Sequence, residues 1–358
     1  MVKLPKIDFT PKSFKLQWHI TERCNFRCKH CYQENFDTPE MNLEQMEDVL
    51  KQLTSLLNKW KISRQRAFLT ITGGEPFLYK DFWSFLAKVY KYCVNYNWSI
   101  LSNGSLLDRE NIKILKLFKI SGYQVSLEGL EENNDKVRGQ GNFKKAFEGL
   151  KLLSEAEIPT MVSMTITKEN VADILPLAKL LDKIGVKIFF VRRLVPWGTG
   201  ARLTSSLLKP EELLALYRRI ENINEDLSER KSFLKIPFAC ENSFLRERPK
   251  EEEYCAVIAG RILALLPNGD ILPCRRLPIK IGNILETPLE KIYYEDRIKE
   301  MRDLKNAPEF CRQNCANFNN CFGGAKCVTY AYSGRLDIPD IQCPIACSKS
   351  DKSIRIKK

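Results

Sequence analysis

Thr21-Glu22-Arg23-Cys24-Asn25-Phe26-Arg27-Cys28-Lys29-His30-Cys31-Tyr32-Gln33 sets three cysteines in the spacing C-x3-C-x2-C. Three thiolates on one short loop can reach three irons of a cubane cluster and leave the fourth iron open, and thiolate sulfur suits iron–sulfur clusters. The alternative is structural zinc, which needs four ligands, and no fourth Cys or His stands at ribbon spacing. His30, between two of the cysteines, could be a zinc ligand, a packed aromatic or a cofactor contact.

Outward from this loop, short β-rich runs alternate with helical patterns over about residues 15–195. The runs FKLQWHI, AFLTIT, WSILS, YQVSL, TMVSMTI and KIFFV read as strands. Between them, NLEQMEDVLKQLTSLLNKW, FWSFLAKVYKYC, ENIKILKLF, FKKAFEGLKLLSEA and ADILPLAKLLDKI carry apolar residues at helical spacing. Asn42 and Asp108 stand where helix N-caps belong. This alternation implies an α/β fold with a parallel sheet and right-handed crossovers. Six strands are fewer than the eight of a closed barrel, so a partial (β/α)6 TIM-like barrel is expected, with functional groups in loops at the C-terminal ends of the strands. The periodicity fades after Trp197-Gly198-Thr199-Gly200. We therefore expect a barrel over 1–200, a helical linker over 201–250 and a cysteine-rich domain over 251–358.

Hydrophobic residues make up 44% of the chain and charged residues 28%, an ordinary balance for a globular enzyme. No stretch approaches the roughly 20 apolar residues of a membrane span, and the N-terminus is too polar for a signal peptide, so the expected compartment is the cytoplasm. In that reducing setting thirteen cysteines point to metal ligation rather than disulfides. The net charge of +13 is scattered among acidic residues, with a basic run only in KSDKSIRIKK. It reads as solvated surface charge or as attraction to an acidic partner. A non-enzymatic metal protein binding nucleic acid is the remote alternative, and no aromatic-interleaved basic stripe supports it. Cys93 sits in a helical pattern and is expected to be a small buried apolar residue.

The motifs around the first cysteines resemble the radical S-adenosylmethionine (SAM) superfamily. After the second strand, ITGGEPFL is similar to that family's GGE motif, so the resemblance implies that Gly73, Gly74 and Glu75 receive the ammonium of SAM. Glycines permit close backbone approach, and a carboxylate offers a charge-assisted hydrogen bond. By the same resemblance, Asn103, Ser126 and Glu128, with Ser102 nearby, are candidate SAM contacts at the ends of the third and fourth strands. Arg138 resembles an arginine that neutralises the methionine carboxylate, and His30 the residue that lies against adenine. The implied chemistry starts with a [4Fe-4S] cluster on Cys24, Cys28 and Cys31 that donates an electron to SAM. The resulting 5′-deoxyadenosyl radical abstracts a substrate hydrogen.

The later cysteines resemble the SPASM auxiliary-cluster domain, a small α+β unit. Here the central block reads C-x3-C-x5-C-x5-C, longer in its first and last gaps than the family pattern, and Cys347 is left over. Carried over, the pattern implies two auxiliary clusters, one on Cys255, Cys274 and Cys327 and the other on Cys311, Cys315, Cys321 and Cys343. The fourth site of the first is open, absent, or filled by Cys240 or Cys347. Zinc knuckles are the alternative for the whole block.

Enzymes of this architecture mostly modify or cross-link peptides, while others oxidatively decarboxylate small polycarboxylates such as porphyrins. Arg275 stands where sulfatase maturases place a basic aspartate, which counts against that activity. Arg192 and Arg193 end the sixth strand and, with Arg275, are the expected contacts to an acidic substrate. Flavodoxin or ferredoxin is the implied electron donor. Cys24 comes too early for an N-terminal leader-binding domain, so a separate partner presents the substrate or no leader is needed.

Overall fold

The computed structural model describes residues 10–226, 234–235 and 255–349. Strand β1 (Phe14–His19) shows the period of two that organises the sheet: Phe14, Leu16 and Trp18 are at most 1% exposed beneath the helices, while Lys15, Gln17 and His19 take the other face. β2 (Ala67–Thr72), β3 (Asn97–Ser102), β4 (Gly122–Ser126), β5 (Thr160–Ile166) and β6 (Ile188–Arg193) follow in order, each parallel to the one before. The crossovers are α1 (Leu43–Lys59), α2 (Phe82–Tyr92), α3 (Arg109–Leu117), α4 (Glu131–Arg138), α5 (Asn142–Glu155) and α6 (Ile174–Lys183). Asn42 opens α1 with a capping box shared with Gln45, and the Asp108 carboxylate accepts from the Asn111 amide at 2.7 Å to open α3. Cys93 caps the end of α2, half-buried against the main core rather than fully enclosed.

The sheet continues past these six strands at both edges. The two-residue β7 (Leu234–Lys235) lies parallel to β6, and β8 (Ile262–Leu265) lies parallel to β1 on its free side. β9 (Asp270–Leu272) and β10 (Gly282–Asn283) then extend that edge antiparallel, giving the order β10-β9-β8-β1-β2-β3-β4-β5-β6-β7 among the described residues. The barrel is therefore open, as expected for the fold class. Four buried residues in a row, ILAL, make β8, and such a short apolar run carries no alternation to announce a strand. Leu263, Leu265, Ile271 and Ile284 join the same core as Trp18 and Trp98, so the packing runs across residue 251 without interruption.

Helix α7 (Pro210–Asp226) leads out of the barrel. Beyond β10 come α8 (Leu289–Tyr293), α9 (Asp296–Arg302), α10 (Glu309–Asn314), α11 (Phe318–Cys321), α12 (Lys326–Ser333) and α13 (Pro344–Lys349), all short. They pack through small clusters that include Cys255, Cys311, Cys315 and Cys327. Arg193, 1% exposed, donates to Asp340 at 2.9 and 3.2 Å and so ties the end of β6 to the segment before α13.

Candidate functional site

The cysteine loop leaves the C-terminal end of β1 and is held from two sides. On one side the Gly74 amide donates to the Thr21 carbonyl and the Glu75 amide to the Arg23 carbonyl, each at 2.8 Å. A Cβ on Gly73 would sit 2.4 Å from the Thr21 oxygen, and one on Gly74 2.3 Å from the Arg23 oxygen, so only glycine lets the two backbones meet. On the other side lies the Trp197–Gly200 stretch. Gly198, at φ +62°, leaves only 2.6 Å between a would-be Cβ and the carbonyl oxygens of Cys31 and Tyr32. The Thr199 hydroxyl donates to the Cys28 and Cys31 carbonyls at 3.1 and 3.3 Å. This second clamp went unread in the sequence, where the same four residues marked only the end of a periodicity. The signal was there, in two glycines flanking a hydroxyl just past a strand end.

Within the loop the Phe26 amide reaches the Cys24 sulfur and the Gln33 amide the Cys31 sulfur, both at 3.4 Å, and Arg138 Nη1 stands 3.8 Å from the Cys28 sulfur. Burial pushes the Cys24 thiol up to about 11 and raises that of Cys28 as well. Both thiols therefore hold their protons at neutral pH until a metal displaces them. Three thiols met by N–H donors and a nearby guanidinium fit the anionic sulfur of an iron–sulfur cluster.

Glu75 is fully buried. Its carboxylate accepts from the Ser102 hydroxyl and the Asn103 amide, both at 2.9 Å. Burial raises it to about 7 despite those bonds. Asn103 in turn donates to Asn25 Oδ1 at 2.9 Å, coupling the end of β3 to the cysteine loop. Next to this group, Glu128 takes His30 Nε2 at 2.8 Å and Arg138 Nε at 3.1 Å on one oxygen, and the Thr165 amide at 2.6 Å on the other. Asn170, absent from the sequence reading, donates to the Glu128 and Thr165 carbonyls, both at 2.9 Å. Ser126 ends β4, half-buried and in register with Ser163. His30 Nδ1 is buried and meets no partner among the described residues, as fits a ring whose second nitrogen awaits a bound molecule. The structure thus gathers His30, Gly73, Gly74, Glu75, Ser102, Asn103, Ser126, Glu128 and Arg138 at one end of the sheet.

Burial alone would raise Glu128, but the charges and hydrogen bonds of His30 and Arg138 outweigh it and hold the group at about 2, against 4.5 for a free glutamate. A depressed folded-state value means stability that is present above pH 4.5 and lost as the pH falls toward 2. Urea midpoints of the wild type and Glu128→Gln should therefore differ most at pH 6 and above and converge only as the pH falls to about 2. The gap at neutral pH should be about 3 kcal/mol.

The cysteines of the C-terminal segment line two cavities. Cys311, Cys315, Cys321 and Cys343 surround one, with Phe318, Gly323 and Gly324. Cys255, Cys274 and Cys327 share the other with Arg276, Leu277 and Lys326. Cys347 lies apart from both linings, its thiol on the Ile341 carbonyl at 3.3 Å. Cys240 falls outside the described residues.

The inner face of the sheet is polar, with Lys15, Gln17 and His19 on β1, Gln124 on β4, Ser163 on β5 and Arg192 on β6. Arg192 Nε donates to the Ser163 hydroxyl at 2.8 Å. Arg275 follows Cys274, 6% exposed, with its guanidinium 5.8 Å from the ring centroid of Tyr32. The expectation that Arg193 shares this face does not hold: successive strand residues point to opposite sides, and Arg193 is committed to Asp340. Lys15 and His19 went unnamed although the alternation of FKLQWH places them inward.

Family models match in two blocks, the radical SAM superfamily over residues 18–181 and an iron–sulfur cluster-binding domain, SPASM, over 255–316. Mycofactocin maturase MftC of Mycolicibacterium smegmatis is 27% identical over 342 residues, spanning 92% of this chain and 82% of its own. The AdoMet-dependent heme synthase of Nitratidesulfovibrio vulgaris is 22% identical over 350 residues, 91% of each. Among solved structures, Streptococcus suis SuiB bound to S-adenosylmethionine superposes with a TM-score of 0.74 at 18% identity, over 93% of this chain and 77% of SuiB. SuiB bound to the precursor peptide SuiA gives a TM-score of 0.73. Two family models in chain order, on a fold that brings their motif residues together, show that the chain belongs to the radical SAM superfamily and carries a SPASM auxiliary-cluster domain.

Proposed function

We propose that this enzyme acts on a peptide, with Cys24, Cys28 and Cys31 holding the cluster at which SAM is cleaved. When bound, cluster and SAM supply a radical that takes a hydrogen atom from the substrate. The protein's own part is positional. Gly73, Gly74, Gly198 and Thr199 fix the cysteine loop, and Glu75, Ser102 and Asn103 brace it from beneath. Glu128 fixes His30 and Arg138 in place, with His30 Nδ1 and Ser126 turned to the cofactor. The two C-terminal cavities hold auxiliary clusters, one on Cys311, Cys315, Cys321 and Cys343, the other on Cys255, Cys274 and Cys327.

The observation that carries the peptide reading is the match to mycofactocin maturase along 92% of the chain, on a fold shared with SuiB bound to its precursor peptide. The second reading, oxidation of a small polycarboxylate, rests on the heme synthase relative and on the basic inner face. We further propose a cytoplasmic setting, with an acidic flavodoxin or ferredoxin as electron donor for a chain of net charge +13. Among the described residues no helix is long and apolar enough to cross a membrane. The test is anaerobic reconstitution with iron and sulfide, then dithionite reduction with SAM. 5′-Deoxyadenosine is the expected product, and SAM left intact would refute the assignment.

A further inference from the structure

The stretch 194–208, which carries the Gly198 and Thr199 clamp, is anchored at both ends by one buried site in the auxiliary segment. Just before it, Arg193 lays both Nη groups on the Asp340 carboxylate, and the two side chains are 1% and 2% exposed. At its far end the Leu208 carbonyl accepts from Gln342 Nε2 at 2.7 Å, and the Gln342 amide donates to the same Asp340 carboxylate at 3.0 Å. Between these anchors Leu194, Val195 and Leu207 pack with Ala325, Val328 and Ile341 in a small apolar core of their own.

Asp340 is seated in the gap between Cys321 and Cys327, the last and longest-drawn gap of the cysteine block. Its amide donates to the Gly323 carbonyl at 3.1 Å, and its carboxylate accepts from the Ala325 amide at 2.9 Å. Gly324, at φ +82°, leaves only 2.4 Å between a would-be Cβ and that of Asp340, so the gap closes tightly on this one side chain. Cys321 and Cys327, which bound the gap, line different cavities. On its other side the stretch meets the N-terminal cysteine loop, where Thr199 donates to the Cys28 and Cys31 carbonyls and the Gly200 amide to that of Cys31 at 3.3 Å.

We propose that Asp340 is a positioning residue for SAM cleavage: by fixing both ends of the stretch 194–208, it sets where the Thr199 clamp holds the cysteine loop. This rests on the reading of that loop as the SAM-cleaving site. The role needs a carboxylate, because two oxygens in one plane match the guanidinium fork of Arg193 and still accept the Ala325 and Gln342 amides. Asparagine keeps the volume and surrenders one of those acceptors.

The experiment compares cluster-loaded wild type with Asp340→Asn, Arg193→Gln and the double variant. Each is analysed for iron, titrated with SAM, reduced with dithionite, and examined by electron paramagnetic resonance with and without SAM; 5′-deoxyadenosine is measured by chromatography. A displacement near 1 Å at a reacting centre costs about a hundredfold, and a loosened anchor should cost about tenfold. Asp340→Asn is therefore expected to keep its iron, to lose about tenfold in deoxyadenosine formation, and to show an altered spectral response to SAM. The double variant should lose no more than the worse single one, because the pair acts as a unit. If Asp340→Asn takes up no clusters, Gln342→Leu leaves the Arg193–Asp340 pair in place and cuts only the Leu208 anchor, with a severalfold loss expected. Iron-replete variants with wild-type SAM affinity, spectral response and cleavage overturn the proposal. So does a change confined to the spectrum without SAM, since Asp340 would then serve the auxiliary segment alone, and so do losses that add in the double variant. Wild type that forms no deoxyadenosine would instead sink the assignment of the loop, and this proposal with it.

Discussion

Changing Cys24, Cys28 and Cys31 together to alanine should bring SAM cleavage down to the rate of dithionite alone and still leave roughly eight iron atoms per chain, two cubanes' worth. The expectation follows from the separation of the three thiol sets. The N-terminal loop is fixed by Gly74, Glu75 and Thr199 through backbone and hydroxyl contacts that the cysteine side chains do not make. The other two sets line cavities built from residues 255–346. Iron analysis with Mössbauer spectroscopy and product chromatography reads both halves of the result. A count near four would mean a single auxiliary cluster. Loss of all iron would mean that the two metal-binding regions assemble only together, and retained cleavage would remove the loop from the chemistry.

Gly74→Ala is expected to do comparable damage by geometry alone. The added carbon would stand 2.3 Å from the Arg23 oxygen and 2.6 Å from the Glu22 oxygen, both backbone atoms that no rotamer change can move. Either the loop or the turn after β2 must shift, breaking the Gly74–Thr21 and Glu75–Arg23 hydrogen bonds. Overpacking of this kind costs about 1–3 kcal/mol of stability, which the sheet survives. Catalysis should fall by about a hundredfold, since displacements near 1 Å at a reacting centre have that effect. Deoxyadenosine assays beside a thermal melt test this, and wild-type turnover in the variant would show that the loop tolerates the shift.

The barrel was legible because its signals are local. Phe14, Leu16 and Trp18 alternate with polar residues, and Asn42 and Asp108 cap their helices as short-range chemistry predicts. The roles of His30, Glu75 and Glu128 were implied by the resemblance of their motifs to the radical SAM superfamily, and a parallel sheet brings every strand's C-terminal end to one side. What escaped was non-local. β8 is a strand because it meets β1, not because ILAL differs from any buried run. Arg192 and Arg193 looked alike until the pleat sent one inward and the other to Asp340. The role of Thr199 depends on a loop about 170 residues earlier in the chain, which Thr199 contacts through Cys28.

The pairing of β1 with β8 also bears on how the chain comes to fold. Lys15–Trp18 find their second neighbour only at Ile262–Leu265, so during synthesis the first strand keeps one bare row of N–H and C=O groups until residues 262–265 have emerged. An unpaired strand edge is a template for pairing with other chains. Closing it over so long a loop is slow. Cys255 and Cys274 bracket β8, so metal capture at that end would lock the late strand in place and shorten the interval in which nascent chains can aggregate.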